Sequence, residues 1–210
     1  MKKYILDANL FFNLETSLGM GEKTEAVIKT FAKYAKELRN QNLAEFFMPP
    51  KVVEEFLSFF ENKDQAFLQE FLASVTVKSP DHLRSQFPAQ VFYQLVDDIR
   101  QRSLRGLRLG EEEIELAARS FSGKSPLPTK EFQIAVGDHI KKFRQRYRRA
   151  TRFGFLDSLA DLDLIVLAKE QDGFLASADE GVIYWGRAFG VKEARLGSLR
   201  RELDSLLHRE

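Results

Sequence analysis

Four aspartates stand in apolar surroundings in this sequence. Asp7 ends an apolar segment near the N-terminus and Asp179 follows another, while Asp161 and Asp163 interrupt the apolar stretch at 158–168. Burying a carboxylate is costly unless it is paired or binds a cation, and these segments offer little pairing. Converging carboxylates also repel one another, and a divalent cation relieves both costs. The four side chains therefore predict a metal site.

The available side chains restrict the metal and its chemistry. The chain has no cysteine, which excludes disulfides, thiolate zinc sites and a cysteine nucleophile. Oxygen ligation suits Mg²⁺ or Mn²⁺ rather than zinc. Such an ion polarises a phosphoryl oxygen, activates a bound water and stabilises the leaving oxygen of an in-line displacement. Phosphodiester hydrolysis is the reaction that this site predicts.

Each aspartate also has a simpler explanation when it is taken alone. A strand-end aspartate such as Asp7 is commonly a helix cap or a turn former. Asp157 shares a helical face with Asp161, four residues later, but it is an equally good N-cap for a helix after Gly154. Asp163 alternatively faces solvent, because two residues along a helix rotate it away from Asp161. The set as a whole is a stronger indication than its members.

The histidines do not indicate a second kind of active site. His82, His139 and His208 show no metal-binding spacing with one another, and none accompanies a serine motif. The sequence therefore argues against a serine hydrolase triad.

The four aspartates meet only if the elements that carry them form one sheet. Strand patterns alternate with helical patterns at both ends of the chain, which predicts a parallel sheet covered by helices on both faces. The predicted strands are 3–8, 46–48, 73–77 and 174–178, and the predicted helices are 24–38, 51–60, 156–169, 181–189 and 198–207. In open α/β sheets, residues at the carboxyl ends of the strands meet in a crevice. Asp7 and Asp179 are therefore expected at the same edge.

The middle of the chain has a different character. Between about 81 and 150, strand patterns disappear and charged helical stretches are separated by glycines and prolines. Arginines at 100–108 precede acids at 111–113, which indicates contacts within a helix hairpin or between subunits. We therefore predict one α/β domain formed by 1–80 and 151–210, with a helical insertion at 81–150.

A basic and aromatic stretch at 141–152 indicates an anionic substrate. The net charge of the whole chain is only +1. Whether the protein binds a polyanion therefore has to be judged from the distribution of charge along the chain. The stretch contains no acid, and its basic residues are Lys141, Lys142, Arg144, Arg146, Arg148, Arg149 and Arg152. We expect them to hold a phosphate backbone, with a solvated helix face as the alternative. Phe143, Tyr147 and Phe153 either stack on bases or pack against the core.

The composition is that of an ordinary globular protein. Hydrophobic residues make up 44% and charged residues 30% of the 210 positions. No apolar run approaches the roughly 18 residues that span a bilayer. The absence of cysteine fits a reducing compartment. We therefore expect a soluble, cytoplasmic protein without a membrane partner.

Three short segments resemble the motifs of PIN-domain nucleases. They are Leu-Asp-Ala-Asn at 6–9, Ala-Asp-Leu-Asp-Leu-Ile-Val-Leu-Ala at 160–168, and Leu-Ala-Ser-Ala-Asp-Glu at 175–180. In that family an aspartate closes the first strand, another opens a core helix ahead of an apolar run, and a third follows the next strand. The resemblance implies a PIN-like three-layer α/β core with a mostly parallel sheet.

The resemblance carries over to individual residues. Asp7, Asp161 and Asp179 match the three places of the family pattern. Glu54 or Glu55, on the helix after the second strand, falls where many PIN domains carry a further acid. Ordinary solvent exposure is the alternative for one of these two glutamates.

A narrower resemblance is to the protein-only ribonuclease P family of bacteria and archaea known as HARP. The additional acids Asp157 and Asp163, the helical insertion and the chain length carry it. It implies metal-dependent removal of the 5′ leader from precursor tRNA, which leaves a 5′-phosphate on the mature tRNA. It also implies a homo-oligomer built from dimers through the inserted helices. The apolar residues that would then lie between subunits are Leu104, Leu107, Ile114 and Leu116.

The nuclease interpretation has two competitors. A toxin-type PIN endoribonuclease leaves the long insertion hard to explain. A noncatalytic RNA-binding scaffold is compatible with the basic stretch, but the intact acidic set argues against it. Within the nuclease interpretation, Asp157 is a fifth acid of the site, and Asn9 orients a ligand or a water molecule.

Overall fold

The computed structural model describes residues 1–12, 19–83, 85–152, 154–156 and 158–208. Within them, a five-stranded parallel sheet has the order β3-β2-β1-β4-β5. The strands are β1 (Lys2–Leu6), β2 (Ala44–Met48), β3 (Thr76–Val77), β4 (Phe174–Ala176) and β5 (Lys192–Glu193). The helices are α1 (Thr24–Asn40), α2 (Pro50–Ser58), α3 (Ala66–Ser74), α4 (Ala89–Phe121), α5 (Thr129–Arg152), α6 (Leu159–Glu170), α7 (Glu180–Ala188) and α8 (Leu196–Leu207). A short 3₁₀ helix, Ala8–Phe11, follows β1. The predicted α/β class with a parallel sheet is confirmed.

Strand β1 lies at the centre of the sheet because apolar residues cover both of its faces. Tyr4, Ile5 and Leu6 are fully buried, as expected for a parallel strand between two helical layers. Tyr4 is opposite Phe46 in β2 and Phe174 in β4. The chain adds β2 and β3 on one side of β1, and β4 and β5 on the other. The strand order therefore reverses between β1 and β4, which is where open α/β sheets form their sites.

An aromatic cluster fixes the segment that follows β1. Phe11, in the 3₁₀ helix, makes edge-on ring contacts with Phe31 of α1, Phe56 of α2 and Phe71 of α3. The centroid distances are 5.3, 5.6 and 4.9 Å, within the range at which aromatic pairs attract one another. The cluster anchors the chain immediately after Asp7 and so sets where that carboxylate lies.

Three elements differ from the sequence prediction. The strand predicted at 73–77 is only Thr76–Val77, because Ala73 and Ser74 are the end of α3. Helix α3 was not predicted, and its buried residues Phe67, Leu68 and Phe71 have helical spacing. Strand β5 was also missed, because it consists of two polar residues at the sheet edge.

The chain divides into two compact units. The first contains 1–87 and 156–210, and thus the whole sheet, while the second is the segment 88–155. The second unit is a hairpin of α4 and α5, whose bounds lie a few residues later than those of the predicted insertion. Gly106 of α4 lies against Tyr147 of α5, where an added Cβ would come within 2.7 Å of the ring. Among the described residues, no helix is long and apolar enough to cross a membrane.

Candidate active site

Asp7 is the buried centre of the site. It follows β1 directly and caps the 3₁₀ helix, where its Oδ1 accepts a hydrogen bond of 3.3 Å from the Asn9 backbone N–H. Its Oδ2 accepts a hydrogen bond of 2.5 Å from Ser177 Oγ. Only 2% of Asp7 is exposed. The capping role and the proposed catalytic role of this side chain therefore coincide in one geometry.

The electrostatic surroundings of Asp7 oppose its ionisation. Burial raises the pKa of Asp7 to about 6, while the hydrogen bonds from Ser177 and Asn9 lower it in part. The negative charges of Glu55 and Asp179 raise it further. The predicted acids Glu55 and Asp179 thus act on the same carboxylate as they would in a shared site. A divalent cation would favour the ionised form of all three.

Asp179 is fixed by the start of α7. Its Oδ1 accepts hydrogen bonds from the backbone N–H groups of Gly181 at 2.6 Å and Val182 at 3.0 Å. Its own N–H donates to Ser177 Oγ at 3.0 Å. Ser177 therefore links Asp179 to Asp7 across the ends of β4 and β1. Ser177 was not predicted as a site residue, although it lies only two residues before Asp179.

Asp161 and Asp163 lie on α6, whose start is defined by Ser158. The Ser158 Oγ accepts hydrogen bonds from the backbone N–H groups of Ala160 and Asp161. Asp161 is half-buried in the first turn, whereas Asp163 is buried, with 6% exposed. The alternative in which Asp163 faces solvent is therefore wrong, because the packed side of α6 extends to this residue. Asp157 lies outside the described residues.

Asp163 is held by two basic side chains that the sequence analysis did not place in the site. Lys51 Nζ, from the first turn of α2, lies 3.2 Å from Asp163 Oδ2. His82 Nε2 lies 3.0 Å from Asp163 Oδ1. Both carboxylate oxygens therefore have partners in the protein. His82 lies 81 residues before Asp163 in the sequence, and Lys51 lies on a different helix, α2. The spacing of residues in the sequence therefore gave no sign of these contacts.

The donor chemistry of the site suits a hard divalent cation. Asp7, Glu55 and Asp179 offer carboxylate oxygens, which Mg²⁺ and Mn²⁺ prefer. Among the residues that the structure describes, no three acidic or histidine side chains form a ready-made metal-binding group. The fit of the site to such a cation therefore depends on the buried Asp7 carboxylate and on Glu55 and Asp179, whose charges act on it.

The basic residues predicted to hold phosphates lie on α5. All seven of them are exposed. Arg146 forms ion pairs with Glu112 at 2.6 Å and Glu113 at 3.4 Å, both on α4. The stretch itself contains no acid, but the hairpin brings two acids of α4 beside Arg146.

A serine, a histidine and an acid do meet in the hairpin. His139 lies 3.1 Å from Ser120 Oγ and 2.9 Å from Glu113 Oε1. No serine partner of His139 is evident from the sequence, because the pairing joins two different helices. Ser120 Oγ also lies 2.8 Å from the Ala117 carbonyl, the bond that a serine makes to the preceding turn of its own helix. These contacts hold α4 and α5 together.

Comparisons with known proteins cover almost the whole chain. Residues 3–208 match the family model described as PINc domain ribonuclease. The RNA-free ribonuclease P of Pyrococcus abyssi (strain GE5 / Orsay) is 33% identical over 210 residues, which is 100% of this chain and 95% of the relative. That of Thermococcus kodakarensis is 33% identical over 208 residues, with 99% and 96% covered. That of Thermodesulfovibrio yellowstonii is 35% identical over 191 residues, with 91% and 88% covered. The similarity to the first of these relatives thus includes the α4–α5 hairpin as well as the sheet.

Proposed function

The chain belongs to the PINc-domain ribonuclease family, and on that premise we propose that it is an RNA-free ribonuclease P. It is an endoribonuclease that removes the 5′ leader from precursor tRNA by phosphodiester hydrolysis. The observation that carries the reaction is the buried Asp7 carboxylate at the reversal of strand order, under the influence of Glu55 and Asp179. The observation that carries the substrate is the full-length similarity to relatives of that name. The resemblance inferred from the aspartate motifs agrees with both.

We assign the predicted metal ligands according to their surroundings. Asp7, Asp161 and Asp179 would hold Mg²⁺ or Mn²⁺ directly or through water. Glu55, whose charge acts on Asp7, would join them, and Asp157 is a weaker candidate. Both oxygens of Asp163 contact basic side chains, Lys51 and His82. Asp163 would therefore hold these side chains near the ion without binding the ion itself. When bound, the ion supplies polarisation of the scissile phosphate and a water of lowered pKa.

The protein groups around Asp7 prepare it to bind a cation. The hydrogen bonds from Ser177 and the Asn9 backbone N–H stabilise its ionised form, against the effect of burial. They also fix the orientation of both carboxylate oxygens. Such fixed carboxylates bind an ion without first giving up side-chain freedom. Ser177 thus has the positioning role that the sequence analysis expected of Asn9, whose backbone N–H shares it.

The helical unit would bind the body of the tRNA and form contacts between subunits. The seven exposed basic residues of α5 are suited to the phosphate backbone. The four apolar residues predicted to lie between subunits are also exposed, at 47% for Leu104, 60% for Leu107, 73% for Ile114 and 50% for Leu116. Large exposed apolar side chains on one hairpin favour association of copies into dimers and then larger homo-oligomers.

The toxin-type alternative gains no support from these observations. It gives the α4–α5 hairpin no role, whereas relatives named RNA-free ribonuclease P align across the whole chain. The scaffold alternative gives no reason for burying Asp7 beside further acids.

The function is tested by the release of leader from precursor tRNA. Purified protein is incubated with 5′-labelled precursor tRNA and Mg²⁺, and the experiment is repeated with Asp7→Asn. We expect leader release by the unchanged protein and a loss of more than about 100-fold in the variant, beyond the effect of losing a group that only orients a ligand.

A matched control makes the same chemical change elsewhere. Asp172 pairs with Lys192 on the surface, at 2.9 Å, and Asp172→Asn should leave the cleavage rate unchanged. Failure of the unchanged protein to release the leader, or equal rates with and without the Asp7 carboxylate, would overturn the proposed function.

A further inference from the structure

The buried Asp163 carboxylate is paired with two basic side chains that stay at the surface. A buried carboxylate needs partners for its oxygens. Asp163 has two basic partners from different elements, and their side chains stay exposed, at 46% for Lys51 and 61% for His82. The two partners are therefore held at the surface rather than drawn into the core.

We propose that Lys51 binds a phosphate of the RNA substrate beside the acidic site, and that Asp163 and His82 are positioning residues for it. The proposal rests on the proposed ribonuclease function, because that function places a phosphodiester backbone at this edge of the sheet. The ligand class is a backbone phosphate adjacent to the bond that is cut. His82 holds the second oxygen of Asp163 and thereby fixes the direction in which the carboxylate presents the first.

The topology places Lys51 at the correct edge. Helix α2 begins at Pro50, just after β2 ends at Met48, so its first turn lies at the carboxyl end of a strand parallel to β1. Asp7 lies at the carboxyl end of β1 itself. Glu55, which raises the pKa of Asp7, follows Lys51 by one helical turn and shares its face. Lys51 is therefore a basic side chain at the edge of the acidic site.

The charge of the site calls for such a cation. A phosphate backbone that approaches Asp7, Glu55 and Asp179 meets three carboxyl groups, and one metal site does not serve the neighbouring phosphates. The ammonium group of Lys51 has three N–H donors, of which Asp163 needs one. The remaining donors, on a half-exposed side chain, are available to a phosphate oxygen. Lysine binds phosphate as a point charge and tolerates this shared geometry.

The first test measures the salt dependence of binding. The affinity of the full-length protein for precursor tRNA is measured in EDTA, at constant pH, over a range of KCl concentrations. Loss of one phosphate contact flattens the plot of log K against log salt by about 0.7–0.9. We expect this change for Lys51→Gln and no change for Lys51→Arg, which keeps the charge. A slope that stays the same in Lys51→Gln would overturn the proposal.

Lys36 provides a matched control. It is exposed near the end of α1, which precedes the start of β2 and so lies toward the opposite edge of the sheet. Lys36→Gln removes the same charge and should leave the slope as it is. An equal flattening in Lys36→Gln and Lys51→Gln would show a general charge effect and would also overturn the proposal.

A second measurement needs no variant and is independent of its folding. Lysine amines of the unchanged protein are methylated with and without saturating precursor tRNA, and the rate at each lysine is read by mass spectrometry. We expect tRNA to slow the modification of Lys51 at least about fivefold, since a bound phosphate removes the exposure from which it reacts, and to leave Lys36 unaffected. Equal rates at Lys51 with and without tRNA would refute the contact.

The outcome also separates this inference from the proposed function. A protein that releases the leader but shows neither protection of Lys51 nor a slope change keeps its function and loses this phosphate site. A protein that binds tRNA through Lys51 without releasing the leader loses the proposed function instead.

Discussion

At the scale of single residues, the central feature is a carboxylate that the fold makes hard to ionise. Asp7 is 2% exposed, and its pKa is raised from 3.8 to about 6 mainly by burial. The unfavourable ionisation occurs at the reversal of strand order, where a bound cation would stabilise the charged carboxylate. Functional sites commonly combine burial with like charges in this way. The cost is itself measurable, without any assay of activity.

We expect Asp7→Asn to stabilise the metal-free protein at neutral pH. Because the folded protein binds this proton more tightly than the unfolded chain, stability falls as the pH rises from about 4 to about 6 and stays reduced above. The rise from 3.8 to about 6 corresponds to about 3 kcal/mol at pH 7.5, at 1.36 kcal/mol per pKa unit. Asparagine cannot ionise and avoids this cost. The measurement is the free energy of unfolding of both proteins in urea, in the presence of EDTA, at pH 4 and pH 7.5.

The same experiment contains its control. The difference between the two proteins should shrink towards pH 4, because Asp7 of the unfolded chain, with its ordinary pKa of 3.8, is then about 40% protonated and much of the cost of ionisation in the folded state is gone. Added Mg²⁺ should stabilise the unchanged protein and not Asp7→Asn, because binding to the folded state raises its unfolding free energy. A variant that is less stable at pH 7.5 would contradict the assignment of burial as the main cause.

At the scale of elements, the parts nearest the site were the most predictable. Strands β1 and β4 contain buried apolar residues and end near Asp7 and Asp179, and α6 is apolar and buried from Leu164 to Ala168. The local sequence of these elements agrees with their position in the fold, and such elements can be predicted from the sequence. Strand β5 could not be predicted, because its two residues form a strand only by pairing with β4.

The contacts of the site were less predictable than its elements. Asp7 and Asp179 could be placed from the rule about strand ends, but their link through Ser177 depends on hydrogen bonds between β1 and β4. Lys51 and His82 reach Asp163 from elements far away in sequence. One sequence shows which residues end a strand, and it does not show which side chains meet across the sheet.

Helix packing in the hairpin gives a prediction at this scale. Gly106 is buried in α4, and a Cβ there would lie 2.7 Å from Tyr147 Cε2. Gly106→Ala should therefore displace the Tyr147 ring or the helices locally, at a cost of about 1–3 kcal/mol that exceeds the gain of about 1 kcal/mol in helix propensity. Hydrogen exchange of the amides in α4 and α5 checks it, because faster exchange reports easier local opening.

Gly110 is the control on the same helix. Its nearest contact for an added Cβ is Phe143 Cε2 at 3.9 Å, which is ordinary van der Waals distance. Gly110→Ala should slow exchange, since alanine favours a helix over glycine by about 1 kcal/mol. Slower exchange in both variants would show that α4 and α5 do not pack closely at Gly106.

At the scale of the whole molecule, a nearly neutral protein must bind a polyanion. The net charge is +1, so general attraction to RNA is weak and the arrangement of charge has to supply it. The seven basic residues in 141–152 have no acid among them, although Arg146 is paired with acids of α4. Binding should therefore depend on those positions of α5 whose charge is not engaged in this way, among which Arg148 and Arg149 are exposed.

The double variant Arg148→Gln/Arg149→Gln tests this distribution of charge. If both side chains contact phosphates of precursor tRNA, the slope of log K against log salt should flatten by about 1.4–1.8, and the affinity should fall at every salt concentration. Sequence changes in the leader should not alter this effect, because phosphate contacts do not read bases. Lys33→Gln/Lys36→Gln removes two exposed charges from α1 and should leave the slope unchanged. Equal slopes for the α5 variant and the unchanged protein would mean that α5 is only a solvated helix face, and that the RNA is held elsewhere.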